Sequence, residues 1–202
     1  MQGKKRMTIL IVVVLLIAGL AVFFILPDWQ GRKLNQVLAS TLSSNSRYLL
    51  QIMQQYESGA RDDLSYRLAR RNAHNADAAL STTLGNMLME PGHFRKDADL
   101  GFRFLVLSHT LLSYLSGLGA HRGEQLPQAA QAQLLEQAEA LVSSLDEIAS
   151  GLRGEQPLAI HSDEEQALAQ RLEQIADDTD ERQRLVQTQL ALICRQLAPL
   201  RT

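Results

Sequence analysis

Residues 7–26 form an unbroken run of 20 residues without a charge, and at about 1.5 Å of rise per helical residue such a run spans the roughly 30 Å of bilayer hydrocarbon. The sequence therefore predicts one N-terminal transmembrane helix, with the rest of the chain facing water. Lys4, Lys5 and Arg6 precede the run, and Pro27, Asp28, Trp29, Arg32 and Lys33 follow it; such polar and aromatic flanks hold a span at headgroup level. A cleaved signal peptide shares the basic, apolar, polar order, but this run is longer than a usual signal core and no A-x-A site closes it. Direction is not set by charge, because Arg32, Lys33 and Arg47 balance the three basic residues on the other side. Ala18, Gly19 and Ala21 make a small-residue patch without the G-x-x-x-G spacing of helix dimers.

Residues 1–28 are thus read as an anchor and 29–202 as one helical bundle domain. Leu, Ala, Gln, Arg and Glu dominate, and only 5 Pro and 12 Gly interrupt the chain, so the expected fold class is all-α. Apolar residues at three-and-four spacing mark core helices over about 29–57, 62–90 and 93–119. Ser58-Gly59 and Pro91-Gly92 separate them, and turns this short fold long helices back antiparallel. The third helix is apolar on most sides and is expected at the centre of the bundle. A second span there is the alternative, weakened by Arg103, Ser108, His109, Thr110 and Ser113. Acidic later helices follow over about 127–151 and 162–198. Pro127 opens the first, 151–157 reads as a loop, Ser162-Asp-Glu-Glu165 matches a capping box, and the last helical region pauses around 177–180.

Charge is divided along the chain. Residues 1–123 carry 14 Lys/Arg against 8 Asp/Glu, and residues 124–184 carry 4 against 14. The basic front suits a lipid surface. No basic run is dense or interleaved with stacking rings, which argues against a nucleic-acid partner. Cys194 is the single cysteine, so the chain has neither an internal disulfide nor a thiolate metal site. His74, His93, His109, His121 and His161 are scattered without metal-binding spacing, and no phosphate loop, nucleophile elbow or catalytic carboxylate motif is visible. The expectation is a protein with no catalytic residue, cofactor or metal.

The most polar constellation is Arg67, Arg70, Arg71, His74 and Asp77 on the second helix, where three-and-four spacing aligns most of them on one side. Such a stripe suits an anion or a contact with a membrane domain. The plainer alternative is a solvated face in which Arg70 or His74 pairs with Asp77, while Asn72, on the Leu68 side, joins a buried polar network. His109 reads as a hydrogen-bonded core histidine; a proton relay there requires a carboxylate partner. Asp62-Asp63 reads as a helix-start charge and Asp177-Asp178 as a loop or cap.

The run 62–91, DDLSYRLARRNAHNADAALSTTLGNMLMEP, and the run 101–122, GFRFLVLSHTLLSYLSGLGAHR, resemble the C-terminal part of the YccS/YhfK family, within the broader fusaric-acid-resistance (FUSC-like) group. Pro27-Asp-Trp-Gln30 is similar to the family's step from its last membrane segment into a cytoplasmic helical domain. The resemblance implies a bacterial inner-membrane protein of exporter type for aromatic acids and related compounds, with the helical domain in the cytoplasm. Family members are much longer and have two multi-helix membrane halves. A chain with one span then acts as a module in exporter assembly or gating, joined to a separate membrane half or to copies of itself. The alternative is a membrane-tethered helical interaction protein with no transport role. The family supplies no catalytic residues to carry over.

Overall fold

A computed structural model describes Val14 and residues 33–59, 63–89, 95–122, 126–154 and 161–201. Among these residues there are six helices and no strand: α1 over 33–58, α2 Leu64–Leu88, α3 Arg95–Ala120, α4 Gln128–Arg153, α5 Ser162–Glu173 and α6 Glu181–Arg201. No helix among them is long and apolar enough to cross a membrane, α3 included. The expected span over 7–26 lies outside the described residues, Val14 alone excepted, which is helical and exposed.

The helices run alternately up and down. Leu34 of α1, Leu84 of α2 and Gly101 of α3 meet at one end, because a Cβ added to Gly101 would lie 2.3 Å from Leu84 Cδ2 and 3.5 Å from Leu34 Cδ2. At the other end Tyr56 of α1 donates to the Leu118 carbonyl of α3 at 2.9 Å, and the Tyr48 and Tyr66 hydroxyls lie 3.3 Å apart. Gly119 sits between those tyrosines, where a side chain would crowd the Tyr66 hydroxyl at 2.8 Å. The α4 helix descends beside α1, with Gln131 donating to the Glu57 carbonyl at 3.3 Å and Arg153 to Ser43 Oγ at 2.7 Å. The α6 helix packs on α3, α4 and α5.

Local signals explain the breaks. Gly59 takes φ 66° after α1, and Gly154 takes φ 76° as the cap of α4, a left-handed conformation that glycine adopts without steric cost. Asp63 caps α2, its Oδ1 accepting from the Ser65 amide at 2.8 Å. The pause at 177–180 is a full break between α5 and α6. Two boundaries differ from expectation: Gly151 is helical, and Ser162 is the first residue of α5 with His161 at the cap position. Glu165, three residues on from Ser162, places its Oε1 on Arg201 Nε at 2.8 Å.

The centre of the bundle is α1 and not α3. Tyr48, Tyr56, Leu42, Leu49 and Ile52 are fully buried, and so are Ala39, Thr41, Asn45, Ser46 and Gln55, leaving a narrower exposed face with Gln36, Ser40, Arg47 and Gln54. Small and polar residues there let α2 and α4 approach: Thr41 Oγ1 lies 3.4 Å from the Ala76 carbonyl and Ser46 Oγ 3.5 Å from the Val142 carbonyl. The α3 helix keeps Leu100, Arg103, Val106 and His109 exposed. The second helix is also turned from its expected orientation. It buries Tyr66, Ala69, Ala73, Leu80, Leu84 and Met87, leaving Leu64, Leu68 and Leu88 exposed, since small alanines pack α2 closely on α1 where bulkier leucines would hold it away.

Candidate functional site

The polar stripe lies on the outer side of α2, opposite Ala69 and Ala73. Arg67, Arg70, Arg71 and His74 are exposed, and Asn72 is exposed with them and is not in a buried network. Asp77 is half-buried and does not close on Arg70 or His74 of its own helix. Its Oδ2 lies 3.1 Å from Nδ1 of His109 on α3, and Oδ1 is buried with no hydrogen bond to the described residues. His109 therefore has the carboxylate partner a relay requires, but it is an exposed residue, not the core histidine expected from its apolar surroundings. Three arginines and a histidine on one wet face, bordered by an Asp–His pair, make a cationic surface suited to docking against an acidic or phosphate-bearing partner. It has no enclosing walls.

An apolar groove of about 690 Å³ opens at the end of the bundle where α1 begins, lined by Leu34, Leu38, Phe104, Leu107, Leu152 and Leu200, with Leu100, Arg103 and Val106 also in contact with it. Its walls come from four helices, so no local pattern in the sequence marks it. The signal present was the surplus of apolar residues around α3.

A third cluster joins α4, α5 and α6. Arg201 donates from Nε to Glu165 Oε1 at 2.8 Å and from its terminal nitrogen to Glu147 Oε2 at 3.1 Å. The Arg201 and Glu165 side chains are each 6% exposed. His161 sits on the far side of Glu147, with Nε2 at 3.2 Å from Oε1. Burial alone pushes the Glu147 carboxyl up, but the hydrogen bond and charge of Arg201, aided by His161, outweigh it and hold the group below its ordinary value. The Cys194 thiol is buried beside this cluster and donates to the Glu165 carbonyl. Burial, with the charges of Glu165 and Glu173, pushes it up to about 12. An inert thiol and a fully engaged arginine describe a lock holding the last helix in place. Among the described residues no group of three or more His, Cys, Asp or Glu side chains is placed to hold a metal.

No protein-family model matches the chain, and no solved structure matches it. Three proteins resemble it in sequence. Inner membrane protein YccS of Escherichia coli is 38% identical over 179 residues, covering 88% of this chain and 24% of the relative. An uncharacterized protein of Haemophilus influenzae is 47% identical over 117 residues, 57% of this chain and 16% of the relative. The uncharacterized protein ORF2 of Neisseria gonorrhoeae is 35% identical over 104 residues, 51% of this chain and 25% of the relative. The chain spans a quarter or less of the length of these relatives. Its likeness to YccS nevertheless runs along most of its own length, and the chain belongs to the YccS/YhfK family of inner membrane proteins, matching a stretch consistent with their C-terminal part.

Proposed function

We propose that this chain is the C-terminal module of an inner-membrane exporter of the aromatic-acid, fusaric-acid-resistance type, serving assembly or gating and not forming a pathway alone. The observation that carries this reading is the match to inner membrane protein YccS, which takes in 88% of this chain but 24% of the relative. Residues 7–26 cross the bilayer once, and the six-helix bundle stands in the cytoplasm. One helix does not enclose a polar route through hydrocarbon, so the route belongs to other membrane helices. The stripe of Arg67, Arg70, Arg71 and His74, with the Asp77–His109 pair beside it, is the face on which those partners dock. No catalytic step is assigned to the chain.

Co-expression with the membrane part of a YccS-like protein, followed by capture in detergent, tests the assignment directly. Joint charge reversal at Arg67, Arg70 and Arg71 is expected to preserve helicity, since all three are exposed, and to abolish co-purification. Efflux of aromatic carboxylates from cells is expected to fall when the chain is deleted. A phosphatase or fluorescent reporter fused after Thr202 fixes the side of the membrane. A second reading, a tethered interaction protein without a transport role, draws on the exposed acidic side chains Glu136, Glu139, Asp163 and Glu164 of the later helices and Asp178 in the break between α5 and α6. A monomer in detergent, together with unchanged efflux, selects it.

A further inference from the structure

The exposed apolar side chains of the bundle are unevenly placed. Leu88 and Met89, 55% and 90% exposed, end α2, and Leu100, 60% exposed, lies near the start of α3. The contacts of Gly101 with Leu84 and Leu34 put all of these at the end where α1 begins. The mouth of the apolar groove opens there too, and Val106, 65% exposed, stands further along its wall. Large apolar groups left in water this way mark a surface that something covers.

The sequence says what lies nearest. Six residues, 27–32, separate the apolar run from Lys33 at the start of α1. That connection reaches about 25 Å when fully extended and about 10 Å as helix, whereas the headgroup layer beyond the hydrocarbon is itself several ångströms thick. With residues 7–26 in the bilayer, the apolar end of the bundle cannot be far from lipid. The basic residues agree: Lys33 and Arg103 are exposed at this end, and the first turn of α3 carries Arg95 and Lys96 in its sequence. Asp97 and Asp99 follow them, so the apolar contact contributes more than charge does.

We infer that this end of the bundle rests on the lipid bilayer, with Leu88, Met89, Leu100 and the groove mouth pressed into the headgroup region and Arg103 within reach of lipid phosphates. The inference builds on the reading of residues 7–26 as a span. It makes the bundle a body seated on the membrane and not one swinging on a leash, so its docking stripe is presented at a fixed height. Amphipathic surfaces of this kind enter the interface by about 5–10 Å. The contact should therefore fade along α3 from Leu100 to Val106, which lie about 9 Å apart along the helix axis. Leu64, 62% exposed at the opposite end of α2, lies about 37 Å from Met89 along that helix and stays in water.

Single-cysteine variants of the whole chain, made in a Cys194→Ala background and reconstituted in phosphatidylethanolamine/phosphatidylglycerol vesicles, test this. A nitrobenzoxadiazole label goes at Met89→Cys, Leu100→Cys, Val106→Cys, Leu64→Cys or Leu15→Cys, with nitroxide lipids as quenchers at headgroup or mid-chain depth. The expected result is a blue-shifted emission at Met89 and Leu100 with headgroup-level quenching several-fold stronger than at Leu64, and an intermediate value at Val106. Quenching at Met89 and Leu100 no stronger than at Leu64 overturns the inference. A blue shift at Met89 that neither nitroxide lipid nor aqueous iodide quenches overturns it as well, since a protein surface, a second copy or a membrane half, then covers that end. Mid-chain quenching at Leu15 reports the span separately. Its absence removes the anchor reading, and the Met89 result still decides the bilayer contact in that case.

Discussion

The first and third helices run in the same direction and touch at both ends, yet the exposed stripe of one is polar, with Gln36, Ser40, Arg47 and Gln54, and the other keeps a wet apolar flank. By sequence their roles look reversed. The α3 helix has the fuller apolar complement, while α1 places Thr41, Asn45, Ser46 and Gln55 among its leucines, and all four are buried. Position decides the difference. The α1 helix has α2, α3 and α4 against it, so these four polar residues are enclosed, and small side chains are what let three neighbours come close. The α3 helix faces α1, α2 and α6, and its remaining apolar surface, Leu100 and Val106, lies toward the end where α1 begins. Apolarity in excess of what the bundle covers points to a surface outside the bundle.

Truncation separates the two helices most sharply. Leu49→Ala on α1 removes a fully buried side chain and is expected to cost about 2–5 kcal/mol, whereas Val106→Ala on α3 should change stability by no more than about 0.5 kcal/mol. Urea unfolding of the whole chain in mild detergent measures both. Equal losses would mean that α3 is as enclosed as α1 and would end the contrast.

The contact between the two helices is next in size. Gly119→Ala puts a methyl group 2.8 Å from the Tyr66 hydroxyl and 3.0 Å from that of Tyr48, and overpacking of this kind costs about 1–3 kcal/mol. Adding Tyr48→Phe to Gly119→Ala removes one of the two oxygens and should recover part of the loss. A Gly119→Ala protein with wild-type stability would show that the helices can part freely at that end.

Asn45 sharpens the comparison with a smaller effect of opposite sign. Its side chain is fully buried in α1, and neither amide atom has a hydrogen bond to the described residues. An amide without partners carries its desolvation cost uncompensated, so Asn45→Leu is expected to stabilise the fold by about 1 kcal/mol. Destabilisation instead would mean that the amide is satisfied by ordered solvent and that the leucine displaces it.

Much of the architecture was legible in residues whose local physics acts alone. Gly59 and Asp63 mark a helix end and a helix start by their own chemistry, and the short turns between long periodic runs enforce the up-and-down order. What was not legible depended on which face meets which neighbour. Leu64 and Leu68 lie at helical spacing and look like core, but Ala69 and Ala73 won that contact by allowing α2 closer. The Asp77–His109 pair spans 32 residues of sequence and the Arg201–Glu165 pair 36; no local pattern ties such partners together. The exposure of Arg67, Arg70, Arg71 and His74 was legible because charged and strongly polar side chains are rarely buried.

The smallest contrast is one of pH, and it isolates a single phenol on α1. Burial, together with the hydrogen bond to Tyr66, pushes the Tyr48 hydroxyl well above its ordinary value of 10.0. A group whose pKa is raised by folding lends stability that is complete below its unfolded value and is lost as pH climbs towards the folded one. Tyr48 therefore leaves stability untouched at neutral pH and subtracts from it above pH 10. Cys194 acts the same way from about pH 9 upward, its thiol being raised from 9.0. The wild-type unfolding free energy should thus be flat through neutral pH and bend downward in two overlapping stages. Tyr48→Phe is expected to leave the plateau nearly unchanged, the 3.3 Å contact with Tyr66 being weak, and to remove only the stage beyond pH 10. If the alkaline fall is identical in Tyr48→Phe and wild type, the phenol at the centre of the bundle is reached by water and α1 is less enclosed than its packing indicates.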